Sequence, residues 1–197
     1  MSGMARHMKS ARPLPQKHFD MELIADVIIG IDPGVNGGVA LWTPNTGVQA
    51  FKMPETSDGV IDVLTSCEGK KIAALEKVNS YHIDTAVPGK RFGIDKMLEN
   101  FTTLKTLLDV LGIPYLLVHP MSWQSEFQLR KSGEEKRDRK NRYKEIARAF
   151  YPDIKVTLWN ADALLLTAFM RKKKIYDPLW IYKRLPAKAR EKAFTLK

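Results

Sequence analysis

Apolar residues in this chain fall into short continuous runs and one long run at helical spacing. The short runs are rich in Val, Ile, Leu and Ala, which predicts buried strands. These runs lie at 27–31, 72–75 and 115–118. Between the last two, apolar residues recur every three or four positions from about 93 to 111, and Gly112 follows as the expected helix stop. Strands separated by helices predict an α/β protein.

The first run ends on a carboxylate followed by turn residues. Asp32 precedes Pro33-Gly34, and a second apolar run at 38–42 follows, so the pattern predicts a hairpin with Asp32 at its end. A further strand at 49–53 would give three adjacent antiparallel strands. Taken alone, Asp32 fits a turn-capping carboxylate as well as a cation ligand.

Two more carboxylates stand at the ends of apolar runs. Glu76 ends the run 72–75, and Asp162 opens a last apolar stretch, 163–170, which predicts a buried helix capped by Asn160. If the strands of Asp32 and Glu76 are parallel neighbours, their acids meet at one sheet edge, where like charges repel unless a cation lies between them. Asp162 alone fits a favourable charge at a helix N-terminus. Beside the other two acids, it favours a metal site, for which Mg²⁺ or Mn²⁺ is the choice of an all-oxygen ligand set.

Weaker patterns complete the local structure. Asp58 is expected to cap a helix over 58–66, another helix is expected from about 138 to 150, and residues 154–158 favour a short strand. His119 ends the strand at 115–118 and fits an ordinary polar partner more readily than a metal ligand.

Charge and cysteine content narrow the function classes. The 197 residues include 32 Lys and Arg against 22 Asp and Glu, a net charge of +10, which favours a polyanionic partner, nucleic acid first and a membrane surface second. No apolar run approaches the roughly 18 residues of a membrane span, so no membrane partner is expected. The single cysteine, Cys67, allows no internal disulfide and favours a cytoplasmic location.

Two basic stretches contain the candidate nucleic-acid contacts. The stretch 130–148 holds much of the excess positive charge, which favours phosphate contacts over a merely solvated face. Residues 79–91 are predicted to form a loop just past Glu76, where basic and aromatic groups suit base stacking. The candidate contacts are Lys90, Arg91, Phe92, Lys136, Arg137, Arg139, Lys140 and Arg142.

The order of the three acid motifs resembles the RuvC-type Holliday junction resolvases of the RNase H-like superfamily, most closely their bacteriophage-like branch. The resemblance extends over 27–174 and rests on Gly30-Ile31-Asp32-Pro33-Gly34, Leu75-Glu76-Lys77-Val78 and Ala161-Asp162-Ala163-Leu164-Leu165-Leu166, with Pro120-x-x-Trp123 before the last. It implies an RNase H-like α/β fold with a five-stranded mixed sheet flanked by helices. We expect a disordered basic arm at 1–22, a nuclease domain at 23–174 and a C-terminal appendage at 175–197.

The resemblance also implies an activity. Such a protein would resolve four-way DNA junctions by metal-dependent phosphodiester hydrolysis. Asp32, Glu76 and Asp162 would be the catalytic residues and would hold two Mg²⁺ or Mn²⁺ ions. One feature departs from the family's pattern. The family usually has a fourth acid where Trp159 stands, which makes Asn160 the candidate for a weaker metal ligand.

A homodimer on branched DNA is the assembly that the resemblance implies. The helix at 93–111 would be its packing face, and Phe92 would take the place of an aromatic wedge at the junction. Alternatives stay open: a non-catalytic branched-DNA-binding protein of the same fold, or an RNase H-like nuclease with another nucleic-acid substrate. An actin-like ATPase also starts with a strand-Asp-Gly hairpin, but no second half or further phosphate loop is visible, so no nucleotide cofactor is expected.

Overall fold

A five-stranded sheet and five helices make up the part of the chain that the structure, a computed structural model, describes: residues 25–78 and 90–173, with side chains in the long helix from residue 95 onward. The elements are β1 (Val27–Asp32), β2 (Gly38–Thr43), β3 (Gly47–Lys52), α1 (Ser57–Thr65), β4 (Lys71–Glu76), α2 (Lys90–Val110), β5 (Tyr115–Val118), α3 (Pro120–Glu126), α4 (Lys136–Phe150) and α5 (Ala161–Lys172). The predicted arm at 1–22 and appendage at 175–197 lie outside the described residues, as does most of the predicted loop at 79–91.

The sheet has the strand order β3-β2-β1-β4-β5. The first three strands pair antiparallel, whereas β1–β4 and β4–β5 pair parallel. This is the mixed five-stranded sheet of an RNase H-like α/β fold, with three antiparallel strands first, and it confirms the predicted fold class. Within the described residues, no helix is long and apolar enough to cross a membrane.

The alternation of side chains along the strands divides the core into two layers. Ile29, Ile31 and Leu75 pack on the face covered by α1 and α2, whereas Ile28 and Ile72 pack on the face covered by α3, α4 and α5. Successive side chains of a strand point to opposite faces. Asp32 and Glu76 share the register of Ile28 and Ile72, so both acids belong to the α5 face.

Helix α5 lies very close to β1 because Gly30 has no side chain. A Cβ at Gly30 would lie 2.2 Å from the carbonyl oxygen of Ala163 and 2.9 Å from the amide nitrogen of Thr167. Every residue of α5 from Ala161 to Met170 is buried. The glycine therefore sets the spacing between helix and sheet that brings the start of α5 to the end of β1.

Two local predictions are wrong. Helix α1 is capped by Thr56, whose side chain accepts a hydrogen bond from the Gly59 amide at 3.1 Å, and Asp58 lies in the first turn instead. Residues 154–158 form no strand; they belong to the connection between α4 and α5. A β-prone composition is overridden there because the segment has no neighbouring strand to pair with.

Helix α3 is an element that the sequence pattern did not predict. Pro120 occupies its first turn, and the His119 side chain caps it by accepting from the Met121 amide at 3.2 Å. His119 thus has the ordinary polar role that was favoured. The remaining helices match their predictions closely: α2 begins three residues earlier and ends one residue earlier than predicted, and α4 begins two residues earlier.

Candidate metal centre

Three carboxylates meet at one edge of the sheet. Because β1 and β4 are parallel neighbours with Ile31 opposite Leu75, the residues that follow, Asp32 and Glu76, leave the sheet side by side. Asp162 reaches the same place from the first turn of α5. One oxygen atom from each of the three carboxylates lies within 4.8 Å of the others. The convergence predicted from the strand pattern is confirmed, while the roles of the residues remain a proposal.

The carboxylates are held at an electrostatic cost. Burial raises the pKa of Asp32 well above its usual value, and the charges of Asp162 and Glu76 raise it further. Burial also raises the pKa of Glu76, with the charge of Asp162 adding to it and hydrogen bonds from Asp32 and Trp123 opposing it. A divalent cation would relieve this repulsion, and a cluster of carboxylate oxygens is the donor set that Mg²⁺ and Mn²⁺ prefer. The residues present therefore fit the predicted ion.

Lys140 is part of this cluster. It extends from α4, and its ammonium group pairs with Asp162 Oδ2. Burial lowers the pKa of Lys140, but the charge of Asp162 and the hydrogen bond to it outweigh that effect and raise the pKa overall. The sequence pattern placed Lys140 among DNA contacts of a basic helix. The signal for its inward position is its spacing, because Tyr143 and Ala147, three and seven residues later, are the buried residues of α4.

Trp123 holds the second carboxylate. Its indole is fully buried, and its Nε1 donates a hydrogen bond to Glu76 Oε1 at 3.1 Å. Asp162 Oδ2 is held in the same way by Lys140, whereas the buried Asp162 Oδ1 has no hydrogen-bond partner among the described residues. Trp123 thus holds one oxygen of Glu76, and Lys140 holds one oxygen of Asp162. The other oxygens, Glu76 Oε2 and Asp162 Oδ1, are the candidate ligand atoms.

We expect Trp123→Phe to weaken Mn²⁺ binding roughly tenfold, because Glu76 would lose the donor that orients it while most of the ring volume stays in place. Isothermal titration with MnCl₂ measures this. Met170→Ala is the control for lost packing, because it removes a side chain from the same buried cluster but removes no contact that orients Glu76. Equal Mn²⁺ affinities in the wild type and Trp123→Phe would show that the indole does not orient the carboxylate.

The raised pKa values predict how stability changes with pH. In the folded protein Asp32 and Glu76 hold protons to a higher pH than in the unfolded chain, whose carboxyl pKa is about 4. The folded state then binds more protons than the unfolded state above that pH. The unfolding free energy should therefore fall as pH rises through the raised pKa values.

Urea unfolding in EDTA across pH 4 to 8 measures this fall, and an Asp32→Asn, Glu76→Gln double variant should reduce it. Saturating Mn²⁺ should reduce it too, because the ion favours the charged carboxylates. If the double variant and the wild type show the same pH slope, the two carboxyl groups do not titrate as described.

The residues predicted to contact DNA differ in their exposure and in their partners. Arg139 lines the cleft above the three acids, a cavity of about 400 Å³, and Lys136 and Arg137 are exposed on the same helix. Arg142 does not fit a phosphate contact. Its side chain is only 17% exposed. The guanidinium group pairs with Glu134 and donates to the carbonyl of Leu129, so it holds the connection between α3 and α4 instead. The side chains of Lys90, Arg91 and Phe92 lie outside the described residues, and their DNA contacts stay predictions.

The residues before Asp162 have structural roles in this protein. Asn160 is buried; its Oδ1 accepts from the Thr157 amide at 2.7 Å and its Nδ2 donates to the Lys155 carbonyl at 3.1 Å. These bonds hold the connection to α5, and the structure gives no support for Asn160 as a metal ligand. Trp159 packs over Gly38, where a Cβ would lie 3.1 Å from the indole Cε3. An aromatic ring on the sheet therefore stands at the position where the resemblance in sequence would place a fourth acid.

Comparison with known proteins gives likenesses of structure alone. A scan of protein-family models finds no match, and neither does a search of curated proteins. Among solved structures, the chain is similar to T. thermophilus RuvC in complex with a Holliday junction substrate, at 15% identity and a TM-score of 0.47, over 74% of this chain and 95% of that one. It is also similar to a Thermus thermophilus RuvC structure at 18% identity and a TM-score of 0.46, with the same coverage. Identities this low leave the activity to be argued from the site.

Proposed function

We propose that this protein is a metal-dependent endonuclease that cuts four-way DNA junctions. The observation that supports it best is the meeting of three carboxylates, of which Asp162 is buried and the other two half-buried, with one lysine in a cleft beside an exposed basic helix. Carboxylates that gather divalent cations are suited to phosphodiester hydrolysis. The preference for branched DNA is drawn from the order of the acid motifs in the sequence.

In the proposed mechanism some side chains bind the metal, and others orient those ligands or add positive charge. Asp32, Glu76 and Asp162 would hold Mg²⁺ or Mn²⁺, two ions in the complete site, and the metal would supply a nucleophilic water and stabilise the leaving oxygen. Trp123 orients Glu76. Lys140 keeps Asp162 oriented and adds positive charge where a scissile phosphate would enter, and Arg139 adds charge at the cleft.

The exposed positive charges of α4 would position the DNA. Lys136 and Arg137 are suited to bind phosphates, contacts that place a duplex without reading its sequence. A homodimer packed through α2 would present two clefts to opposite arms of one junction, so that one complex makes two symmetric nicks.

A nicking assay tests the proposal. An end-labelled four-way junction is incubated with Mg²⁺, Mn²⁺ or Ca²⁺ beside a linear duplex and an RNA duplex of the same sequence. We expect paired nicks near the crossover in Mg²⁺ or Mn²⁺ and no nicking in Ca²⁺. Junction binding without nicking would favour the non-catalytic binding protein, an alternative that Trp159 in place of an acid supports. Preferential cleavage of RNA or linear duplex would overturn the junction specificity.

A further inference from the structure

The turn that follows Asp32 is held by a side chain from a distant helix. Asn100, on α2, accepts a hydrogen bond through Oδ1 from the amide of Gly34 at 2.8 Å, in a partly buried position. Pro33 has no amide hydrogen. Gly34 is thus the first residue after Asp32 whose backbone N–H another group can hold.

The turn itself allows little adjustment. Gly34 has φ +112°, a conformation that favours glycine, and its carbonyl accepts from the Gly37 amide at 2.9 Å. A Cβ at Gly37 would lie 2.0 Å from the carbonyl oxygen of Asp32, so the chain folds back directly against the acid. A displacement of Gly34 would therefore be passed on to Asp32.

Helix α2 touches this turn at two positions one helical turn apart. Met97 Cγ lies 3.8 Å from the position of a Gly34 Cβ, and Met97 also lines the cleft with the three acids. Further along, α2 is anchored to the sheet by the fully buried Leu104 and Leu108. Because apolar contacts already dock the helix, the polar contact of Asn100 is not needed to attach it.

We propose that Asn100 is a positioning residue for Asp32. By holding the Gly34 amide, it fixes the turn and with it the Asp32 carboxylate relative to Glu76 and Asp162, and so sets the affinity of the site for a divalent ion. The inference rests on the proposed function only in treating Asp32 as a metal ligand. It links α2, the helix that would pack the dimer, to the geometry of the site.

Two substitutions at one position test the role. Asn100→Leu keeps the side-chain size and removes the acceptor, whereas Asn100→Asp restores an oxygen for the Gly34 amide. Mn²⁺ affinity is measured by isothermal titration, and kcat and KM by junction nicking. We expect Asn100→Leu to weaken Mn²⁺ binding and lower kcat, each roughly tenfold, with KM unchanged, and Asn100→Asp to recover both.

Two control variants on the same helix separate other causes. Thr106→Val removes a hydroxyl that bonds only within α2, to the Thr102 carbonyl, and should leave Mn²⁺ affinity unchanged. Thr103→Asp adds the same charge as Asn100→Asp, one turn further along the helix. If Asn100→Asp binds Mn²⁺ more tightly than the wild type because of a specific contact, Thr103→Asp should not show the same increase. If Asn100→Leu does not fold, Asn100→Ala takes its place.

The outcomes are distinct. Wild-type Mn²⁺ affinity and kcat in Asn100→Leu would overturn the proposal, whatever the change in melting temperature, and so would an Asn100→Asp variant as impaired as Asn100→Leu. If the wild type nicks none of the nucleic acids but Asn100→Leu still weakens Mn²⁺ binding, the proposed function fails and the positioning role stands.

Discussion

Asp32→Asn should reduce junction nicking by a factor of about 10³ or more while leaving the protein folded. Asp32 interacts with both other acids: it shares a hydrogen bond with Glu76, and the charge of Asp162 acts on it. The amide has the same shape but cannot supply a charged ligand. Single-turnover nicking of a labelled junction in Mg²⁺ measures the loss.

Stability should move in the opposite direction to activity. The raised pKa of Asp32 means that its charged form is disfavoured in the folded protein, so a neutral amide should leave the melting temperature in EDTA equal or higher. Replacement of a residue that stabilises the fold would instead lower the melting temperature. Junction binding in Ca²⁺ should survive, since the exposed basic residues of α4 are unchanged.

Asp26→Asn is the matched control for this variant. Asp26 directly precedes β1, the strand that ends on Asp32, and its carboxylate accepts from the Lys70 amide at 2.8 Å at the opposite sheet edge. The same chemical change there should leave nicking within a factor of about two, since the residue lies outside the cleft. Asp32→Asn retaining wild-type nicking would remove Asp32 from the proposed mechanism.

The sequence predicted those features whose cause is local. Continuous apolar runs ended by an acid placed β1 and β4. The meeting of Asp32 and Glu76 at one edge was predicted on the condition that these strands are parallel neighbours, and their observed pairing meets that condition. The regular spacing of α2 and its Gly112 stop were also local signals. Short continuous runs indicated the strands, and the spacing of three and four residues indicated the helix.

Features that depend on tertiary partners were missed. Charge density alone grouped Arg142 with the phosphate contacts, although Glu134 and the Leu129 carbonyl hold it. The same reasoning placed Lys140 on the DNA, whereas the packing of α4 on α5 turns it toward Asp162. Asn160 was assigned by proximity to Asp162, and hydrogen bonds to Thr157 and Lys155 determine its actual role. Sequence shows which groups are charged, but only packing shows which of them face one another.

Gly30→Ala should destabilise the protein by about 3 kcal/mol and weaken Mn²⁺ binding at the same time. The new methyl group would lie 2.2 Å from the Ala163 carbonyl oxygen, and that atom belongs to a helix backbone that cannot rotate away. Helix α5 must therefore move off β1. Asp162, at the start of α5, would move away from Asp32 in the same step, so stability and metal affinity should fall together.

Thermal unfolding in EDTA and Mn²⁺ titration measure the two effects, and the stability loss corresponds to a fall of about 6–12 °C in melting temperature. Gly59→Ala is the control, because its Cβ would meet side-chain atoms of Pro54 at 3.0 Å and Thr56 at 3.2 Å, in a helix where alanine is favoured. Its effect should stay within about 1 kcal/mol. A Gly30→Ala protein that is destabilised yet binds Mn²⁺ normally would mean that the helix-to-sheet distance does not set the site. Asp162 would then be placed by the hydrogen bonds of Asn160 within the connection before α5 rather than by the packing of α5 on β1.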